Sequence, residues 1–562
     1  MTRDERSDTL PLRKSLECRE AAVELAFEDR TQKRQHALLE PKTENNRRLF
    51  GNCDSAGQSA WNSSWRGVGK CFLGKVTAWR FQMFETFLHL DLTSLLIILI
   101  FFLFLEYRPP WWYRANPDCK KGIPGPLALP IVGTTWMLFP GIKAVSRLHE
   151  YYQDMYKKYG PIMKEEYWCN IPIINLFEKR DIVKVLKNGS KYPLRPPVQA
   201  VAYYRKSRPD RYTSTGLVNE QGEAWHHLRT TLTPVFTSPK TISSFLPSVR
   251  EIADDWCNLL KQSRDSSGLV SNLDDIADRL GLEITCALIL GRRMGFLLPG
   301  GESDVGRNLA EAVRQHFIAT RDTHYGIPFW RVLPTSCYNR LVKSEEAIYD
   351  LAMELIKSAN DSTKDSEVFQ AILKADLDEK EKTAAIIDFM SAGIHTLKNS
   401  LLFLLYLVGR DSDLQRRIMD DPRYSKACMT ECFRLCPTAN CLARILDEEM
   451  ELGGYRVPAG TPVVCHFGIA CRDERNFKDA ATFKPERWLG EETNHNAPFL
   501  LIPFGVGRRV CPGKRLIEHI LPVLLQHTVS SFEFVAQKEL EIQYEFILAP
   551  KGKTAMVFRD RV

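Results

Sequence analysis

The chain has 562 residues, of which 44% are hydrophobic and 26% are charged, a composition that is ordinary for a globular protein with a large core. The net charge of +7 is mild and no basic tract dominates, so nothing in the composition indicates nucleic-acid binding. The fifteen cysteines are odd in number and lack a paired framework, which argues against a disulfide scaffold and favours a reducing compartment.

The N-terminal part of the chain contains two segments of opposite character. Residues 1–80 are polar and lack periodic hydrophobicity, which predicts a disordered or targeting extension, although its acidic residues are unusual for a transit peptide. Residues 92–105 form an apolar run too short to span a bilayer, and Trp111 and Trp112 beyond it suit a membrane interface. We therefore predict a membrane-associated segment and linker over 81–122, with a core helix as the alternative.

From residue 123 to residue 562 the pattern indicates one domain, which begins at a chain-breaking Ile-Pro-Gly-Pro stretch. Residues 274–290 and 382–408 have the periodicity or continuous apolarity of long helices, and 457–464 is typical of a turn that leads into a strand. The predicted fold class is mainly α with small β-sheets (α+β).

One cysteine near the C-terminus is presented as a ligand would be. Cys511 lies between glycines and directly before a predicted helix over 514–525, where Pro512 suits the first turn. The amides of Gly513 and Lys514 and the positive end of the helix dipole favour a charged sulfur there. Gly507 and Gly513 would let the backbone approach a flat ligand. The pattern indicates a soft anionic ligand for iron.

Four other cysteines cluster, at Cys428, Cys432, Cys436 and Cys441. The first three recur every four residues and would share one face of a helix. Zinc sites usually use closer pairs, so we interpret these residues as structural thiols, with a metal cluster as the alternative.

Three further motifs have helical spacing. Trp225 and Arg229 are four residues apart and would project from one face, and Glu431 and Arg434 would lie one turn apart. In the sequence Ala-Gly-Ile-His-Thr at 392–396, a glycine inside a helix costs about 1 kcal/mol relative to alanine, which suggests that something there needs room.

The spacing Phe504-x-x-Gly507-x-Arg509-x-Cys511-x-Gly513 resembles the haem-binding loop of the cytochrome P450 family, and the other motifs follow in the family's order. The resemblance implies a cytochrome P450 fold with a single haem-thiolate domain, haem b as cofactor and Cys511 as the axial ligand of the haem iron. It also implies that the remaining cofactor contacts, several of them to the haem propionates, are Phe504, Gly513, Trp225, Arg229, Arg444 and Arg509.

The resemblance assigns catalytic roles to the helical motif. Gly393 matches the position where the family's helix widens for dioxygen, and Thr396 matches the threonine that helps to deliver protons. His395 stands where the family usually has an acid, which is a departure from the pattern. A histidine can relay protons near neutral pH, and the alternative is a structural histidine satisfied within the helix packing.

By the same resemblance, Glu431, Arg434 and Arg487 form a charge network that locks the scaffold behind the haem, with a solvated ion pair as the alternative. Only twenty residues separate Arg410 from Glu431, whereas the family usually has a longer connection with an extra helix. This short connection puts the docking of the Glu431 helix, and with it activity, in question.

The resemblance also predicts partners. Lys514, Arg515 and Lys426 match a basic surface that docks an acidic ferredoxin in mitochondrial relatives, with ordinary solvated charges as the alternative. Residues 192–197 and 217–225 are similar to the mitochondrial clan, and 392–396 and 431–449 to arthropod ecdysteroid hydroxylases.

These segments imply a membrane-associated mitochondrial enzyme that uses dioxygen to hydroxylate a steroid, ecdysone at carbon 20. The alternatives are another steroid or lipophilic substrate, an endoplasmic-reticulum enzyme served by a flavoprotein reductase, and a haem-binding but catalytically impaired protein.

Overall fold

A computed structural model describes residues 122–139, 142, 144–359, 366–490 and 499–561 of the chain. The predicted extension over 1–80 and all but the last residue of the predicted segment 81–122 lie outside the described residues. The chain divides into two units, Met1–Ile97 and Ile98–Val562, and every described residue belongs to the second.

Helices make up most of the described residues, and short strands lie between them. The α-helices are α1 Leu148–Tyr159, α2 Lys179–Lys187, α3 Gln199–Lys206, α4 Gly222–Leu232, α5 Pro234–Thr237, α6 Pro239–Gln262, α7 Leu273–Leu290, α8 Asp304–Tyr325, α9 Ser336–Ala359, α10 Glu367–Leu373, α11 Glu379–Val408, α12 Ser412–Asp420, α13 Arg423–Leu435, α14 Phe467–Ala470 and α15 Lys514–Ser531. The strands are β1 Ile162–Glu166, β2 Pro172–Leu176, β3 Leu269–Val270, β4 Leu442–Ile445, β5 Met450–Leu452, β6 Tyr455–Val457, β7 Pro462–Cys465, β8 Phe532–Ala536, β9 Ile542–Tyr544, β10 Leu548–Pro550 and β11 Met556–Asp560.

The two helices predicted from periodicity are confirmed as α7 and α11 and cross in the core. The Asp378 side chain caps α11 by accepting hydrogen bonds from the N–H groups of Lys380 and Glu381, which starts this helix before the predicted residue 382. A Cβ atom at Gly281 would lie 2.8 Å from the carbonyl oxygen of Ile394. The missing side chain therefore lets the backbones of α7 and α11 approach closely.

A four-stranded sheet has the order β1-β2-β7-β4, in which only the β2–β7 pair is parallel. The predicted turn and strand over 457–464 correspond to the end of β6, a turn with Gly460 at φ 80°, and β7. The remaining sheets are β3-β11-β8, β5-β6 and β9-β10.

The helices pack on one large apolar cluster that includes most of α7 and α11. Among the described residues, no single helix has the length and hydropathy to cross a bilayer. Helices α11 and α12 meet those criteria only as a pair, and they are bent by 108° at their junction.

The short connection before Glu431 contains one helix, α12, and two residues that separate it from α13. Helix α13 packs against α11 and α15 despite this short approach. Its residues Cys428 and Cys432 are buried in the same apolar cluster. The docking that the sequence left open is therefore present in the structure.

Candidate functional site

The Cys511 loop joins a 3-10 turn, Gly507–Arg509, to the start of α15. The Cys511 N–H donates to the carbonyl oxygen of Phe504 at 2.8 Å, which closes the loop. Gly505 and Gly507 adopt φ values of 78° and 72°, a conformation that side chains disfavour. The local sequence therefore fixes the loop by backbone geometry.

The Cys511 side chain is exposed, so its sulfur can be reached by a ligand. Burial raises the pKa of the Cys511 thiol, while hydrogen bonds from the Gly513 and Lys514 amides and the Arg229 charge act in the opposite direction. The predicted stabilising groups are present, but burial outweighs them in the protein alone. A bound metal would deprotonate such a thiol.

Phe504 and Gly513, the aromatic and glycine positions that flank Cys511 in the predicted cofactor loop, have different surroundings. Phe504 packs edge-to-face on Phe433 of α13, with ring centroids 5.1 Å apart. A Cβ atom at Gly513 would meet only the Cys511 sulfur, at 3.9 Å, so protein packing alone does not require a glycine there. The close approach of a ligand at Gly513 stays a prediction.

Four arginines gather around this loop. Arg229 donates to the carbonyl oxygen of Val510 at 2.7 Å. The Arg509 guanidinium carbon lies 4.2 Å from the centre of the Trp225 ring. Arg444 on β4 donates to the neighbouring carbonyl oxygen of Ala443 at 2.8 Å.

Arg195 is the fourth member of this cluster, and its pKa is lowered by burial and by the charge of Arg444. Burial and the charges of Arg195, Arg444 and Arg229 lower the pKa of Arg509 to about 9. Among the described residues, no carboxylate contributes to the electrostatics of any of the four. Buried cations that repel one another call for an anion, and guanidinium groups match carboxylates well.

The helical motif on α11 has a mixed environment. Ala392 is exposed and Thr396 is half-buried in the middle of a helix that is otherwise largely buried, so a ligand can reach this face of the helix. The Thr396 hydroxyl donates to the carbonyl oxygen of Ala392 at 2.6 Å. A Cβ atom at Gly393 would lie 2.7 Å from the Thr285 hydroxyl oxygen. Packing against α7 therefore explains this glycine, and its role toward dioxygen stays a prediction.

His395 points away from solvent and pairs with an acid from another part of the chain. Its Nε2 atom lies 2.9 Å from Oε2 of Glu545, and both side chains are buried. Burial alone would raise the pKa of Glu545, but the hydrogen bond and charge of His395, with Arg314 and Lys398, outweigh it and lower the pKa. The departure from the family pattern therefore creates a buried acid–imidazole pair.

The network predicted at Glu431 is formed. Arg434 and Glu431 make two hydrogen bonds, at 2.8 and 2.9 Å, and both side chains are fully buried. Arg487 donates to the same carboxylate at 2.9 Å, as does the Trp488 indole at 2.9 Å. Arg434 also donates to three backbone carbonyls. The solvated ion pair is excluded as a description of these residues.

Two of the three predicted basic residues, Lys514 and Arg515, lie beside Cys511. An open depression is lined by Thr237, Val510, Cys511, Pro512, Lys514 and Arg515. Lys426 is exposed on α13. Lys514 lies 3.8 Å from Glu518, and Arg515 donates to the Thr237 carbonyl oxygen. Whether a partner docks on this surface stays a prediction.

The four clustered cysteines are not arranged as the ligands of a metal ion. Within the described part of the chain, no group of three His, Cys, Asp or Glu residues is placed to bind a metal ion. Burial raises the pKa values of Cys428, Cys432 and Cys436, and raises that of Cys441 to about 11. The geometry agrees with structural thiols.

Polar side chains line a further part of the interior. Tyr325 on α8 and Tyr544 on β9 have hydroxyl oxygens 3.3 Å apart. Burial raises the pKa values of Tyr325 and Tyr152 well above their usual range, yet both side chains retain accessible surface. Burial, and then the charge of Cys441, raise the pKa of Tyr544 as well.

Sequence reasoning missed two members of this site. Arg195 lies in the segment 192–197, which was recognised only as a mark of the mitochondrial clan. Its sole local signal was an arginine among prolines, in a stretch otherwise without charge. Glu545 carries no motif and is 150 residues from His395 in the chain, so only the fold could bring the two together.

An accessible cysteine in a loop surrounded by arginines without acidic partners defines a site for a metal-centred ligand that carries carboxylates. The residues present therefore fit haem b, whose propionates would meet the arginines and whose iron would meet the sulfur.

Comparisons with known proteins agree with this class. The cytochrome P450 family model matches residues 123–557. The chain is 42% identical over 478 residues to the ecdysone 20-monooxygenase of Drosophila melanogaster, covering 78% of this chain and 88% of that protein. It is 31% identical to cytochrome P450 302a1, mitochondrial, of the same organism, covering 74% and 89% of the two chains. The mouse (Mus musculus) 1,25-dihydroxyvitamin D(3) 24-hydroxylase, mitochondrial, is 25% identical, with coverages of 78% and 89%.

The chain belongs to the cytochrome P450 family. It is a monooxygenase whose cofactor is haem b, and the predicted α+β fold class is confirmed.

Proposed function

We propose that this protein hydroxylates ecdysone at carbon 20, giving 20-hydroxyecdysone, with electrons from a ferredoxin-type donor at the mitochondrial membrane. The observation that carries the proposal is the 42% identity to an ecdysone 20-monooxygenase over most of both chains. Per turnover, one C–H bond of the steroid, O2, two electrons and two protons give one C–OH group and one water molecule.

Cys511, Trp225 and the arginine cluster hold the cofactor in this proposal. The sulfur of Cys511 would bind the haem iron, and Arg229, Arg444 and Arg509, with Arg195, would pair with the propionates. The bound haem supplies the iron that activates dioxygen, and a thiolate ligand favours O–O cleavage. The protein contributes orientation and the exclusion of side reactions.

Thr396 handles protons in this proposal. Its hydroxyl donates to the Ala392 carbonyl oxygen, so its oxygen keeps lone pairs with which to accept a hydrogen bond. Ala392, Gly393 and Thr396 are the accessible residues of the 392–396 stretch of α11, which supports a role for this face in the reaction.

Two interior tyrosine hydroxyl groups support a hydroxylated steroid as substrate. An ecdysteroid has several hydroxyl groups on an apolar frame, and its burial requires partners for them. The paired hydroxyl groups of Tyr325 and Tyr544 would offer donors and acceptors to such a substrate. Such pairing discriminates strongly against substrates that lack the matching hydroxyl.

Lys514, Arg515 and Lys426 form the electron-entry surface in this proposal. Lys514 and Arg515 line an open depression with Cys511, and Lys426 is exposed, so complementary charge could steer an acidic partner there. Two relatives whose names place them in mitochondria support a ferredoxin as that partner.

The test is turnover of ecdysone by the purified full-length protein with a ferredoxin and its reductase, beside a panel of other steroids. We expect one hydroxylated product, assigned to carbon 20 by NMR. Oxidation of another steroid with no product from ecdysone would contradict ecdysone as the substrate. Turnover with a flavoprotein reductase but not with the ferredoxin would contradict a ferredoxin as the electron donor.

A second outcome tests whether the short connection before Glu431 impairs the enzyme. If the ferrous carbon-monoxide spectrum shows a thiolate ligand but no steroid is oxidised, the protein binds haem without catalysing hydroxylation. The intact network at Glu431 leads us to expect activity.

A further inference from the structure

The buried pair formed by His395 and Glu545 joins two distant parts of the chain. His395 lies in the centre of α11, directly before Thr396, and Glu545 directly follows β9 in the C-terminal hairpin. The distance between Nε2 of His395 and Oε2 of Glu545 is 2.9 Å. The side chains are 2% and 1% exposed, so solvent does not screen the contact.

The pair continues toward the surface. Arg314 on α8 lies 3.3 Å from the other carboxylate oxygen of Glu545, and its side chain is 35% exposed. Gln543 donates to that same oxygen at 3.0 Å. A chain of polar groups therefore leads from an accessible arginine through a buried carboxylate to an imidazole in the core helix.

The second nitrogen of the imidazole is unused. Nδ1 of His395 is buried and has no hydrogen-bond partner among the described residues. A buried polar atom that is left unpaired destabilises the folded state. A water molecule or another small polar group meeting Nδ1 would remove that cost, and one bonded to Nδ1 could extend the chain toward the hydroxyl of Thr396.

We propose that Glu545 supplies the carboxylate that the 392–396 motif lacks and that Glu545 and His395 together relay protons toward Thr396. This inference rests on the proposed monooxygenase reaction, which consumes two protons in each turnover.

Each transfer moves one proton through Glu545 and His395. Glu545, ionised at rest, takes a proton from solvent near Arg314 and passes it to Nε2 of His395, while the ring releases the proton that it carries on Nδ1. The transfer leaves an ionised Glu545 and a neutral ring with its proton on Nε2, so one proton has crossed from the surface to the motif. Before the next transfer, water takes the proton from Nε2 and returns one to Nδ1, which restores the first tautomer.

The competing explanation is a purely structural tie between α8, α11 and the C-terminal hairpin. Both explanations require the His395–Glu545 contact, but only a relay requires a titratable group at the motif. In a variant that lacks Glu545, His395→Asp would supply a titratable group at the motif without rebuilding the contact between the two elements.

The experiment uses the full-length haem protein and the variants Glu545→Gln, His395→Asp, and the two combined. Glu541→Gln is the matched control, because Glu541 is in the same hairpin and forms an exposed pair with Lys551. The measurements are product formed per NADPH consumed, hydrogen peroxide released, and the solvent deuterium isotope effect on electron consumption. Urea unfolding midpoints of His395→Gln, Glu545→Gln and their double variant are measured in parallel.

We expect Glu545→Gln to lower product per NADPH on the order of tenfold, with electrons diverted to peroxide and a larger isotope effect. His395→Asp with Glu545→Gln recovers most of the coupling, while its urea midpoint stays low. The midpoint shifts of His395→Gln and Glu545→Gln are not additive, because the two side chains form one contact.

Coupling within twofold of wild type in Glu545→Gln, or additive midpoint shifts, would overturn the relay. Absence of recovery in the combined variant would assign the pair to structure alone. Peroxide release and the isotope effect are measurable with any steroid that the enzyme oxidises and without one. Failure of the ecdysone proposal is therefore separate from failure of the relay.

Discussion

Replacement of Cys511 by serine tests the ligand assignment at a single atom. A serine oxygen lacks the soft, charged character of a thiolate, so we expect the ferrous carbon-monoxide complex to lose its thiolate-type Soret band and haem to bind more weakly. Cys337→Ser, on α9, removes a thiol outside the loop and should leave the band in place. An unchanged spectrum in Cys511→Ser would remove Cys511 as the ligand.

Replacement of Thr396 by alanine separates proton delivery from cofactor binding. Among the described residues, the Thr396 hydroxyl donates only to backbone carbonyl oxygens of its own helix. We therefore expect the carbon-monoxide spectrum of Thr396→Ala to be unchanged and product per dioxygen consumed to fall on the order of tenfold. Retained coupling would show that another group delivers the protons.

At the scale of elements, the crossing of α7 and α11 depends on Gly393. An alanine there would place its Cβ 2.7 Å from the Thr285 hydroxyl oxygen, so we expect Gly393→Ala to cost about 1–3 kcal/mol of unfolding free energy. Thr285→Ala removes the opposing oxygen and methyl group and should recover most of that loss in the double variant. Urea unfolding measures both, and additive losses would contradict the packing explanation.

The charge network at Glu431 holds helix α13 in place, and a substitution of Arg487 tests this role. Because Arg487→Gln leaves a fully buried carboxylate without one of its cations, we expect a loss of about 3–5 kcal/mol in unfolding free energy. Arg417→Gln breaks an exposed pair with Glu486 and should cost only about 0–1 kcal/mol. Equal effects of the two variants in urea unfolding would show that the network does not lock α13.

These elements also show what local sequence determines. Helices α7 and α11 follow from apolar runs, and the Cys511 loop follows from its glycines and proline, because each depends on residues close in the chain. The partner of His395 depends on a hairpin 150 residues away, and no local pattern encodes such a contact. Likewise, the reason for Gly393 lies in Thr285 of another helix, so its sequence signal indicated a need for room but not the neighbour.

For the whole molecule, the sheet and the helical part are joined by a buried polar cluster around His466. His466 follows β7, its Nε2 lies 2.8 Å from Oδ1 of Asn175 on β2, and its ring packs on Tyr152 of α1. Asn175 donates in turn to Glu165 on β1 at 2.8 Å. One neutral imidazole thus connects three strands and a helix.

This cluster predicts sensitivity of the whole fold to acid. Burial lowers the pKa of His466 from 6.5 to about 3, so the unfolded chain binds a proton below pH 6.5 that the folded protein does not accept. The free energy of unfolding therefore falls as the pH falls from 6.5 toward 3, by up to about 1.4 kcal/mol per pH unit from this residue. His324, whose pKa burial and Arg195 lower to about 4, acts in the same direction.

Substitution isolates the contribution of His466. Glu165 opposes it, because burial raises the pKa of that carboxyl and the folded protein then takes up a proton first as the pH falls. His466→Gln should therefore be less stable than wild type at neutral pH but lose less stability between about pH 6.5 and pH 4.5 in urea unfolding. His227→Gln, at an exposed position on α4, should keep the wild-type slope. An unchanged slope in His466→Gln would mean that the acid sensitivity arises elsewhere in the fold, with His324→Gln as the next variant to measure.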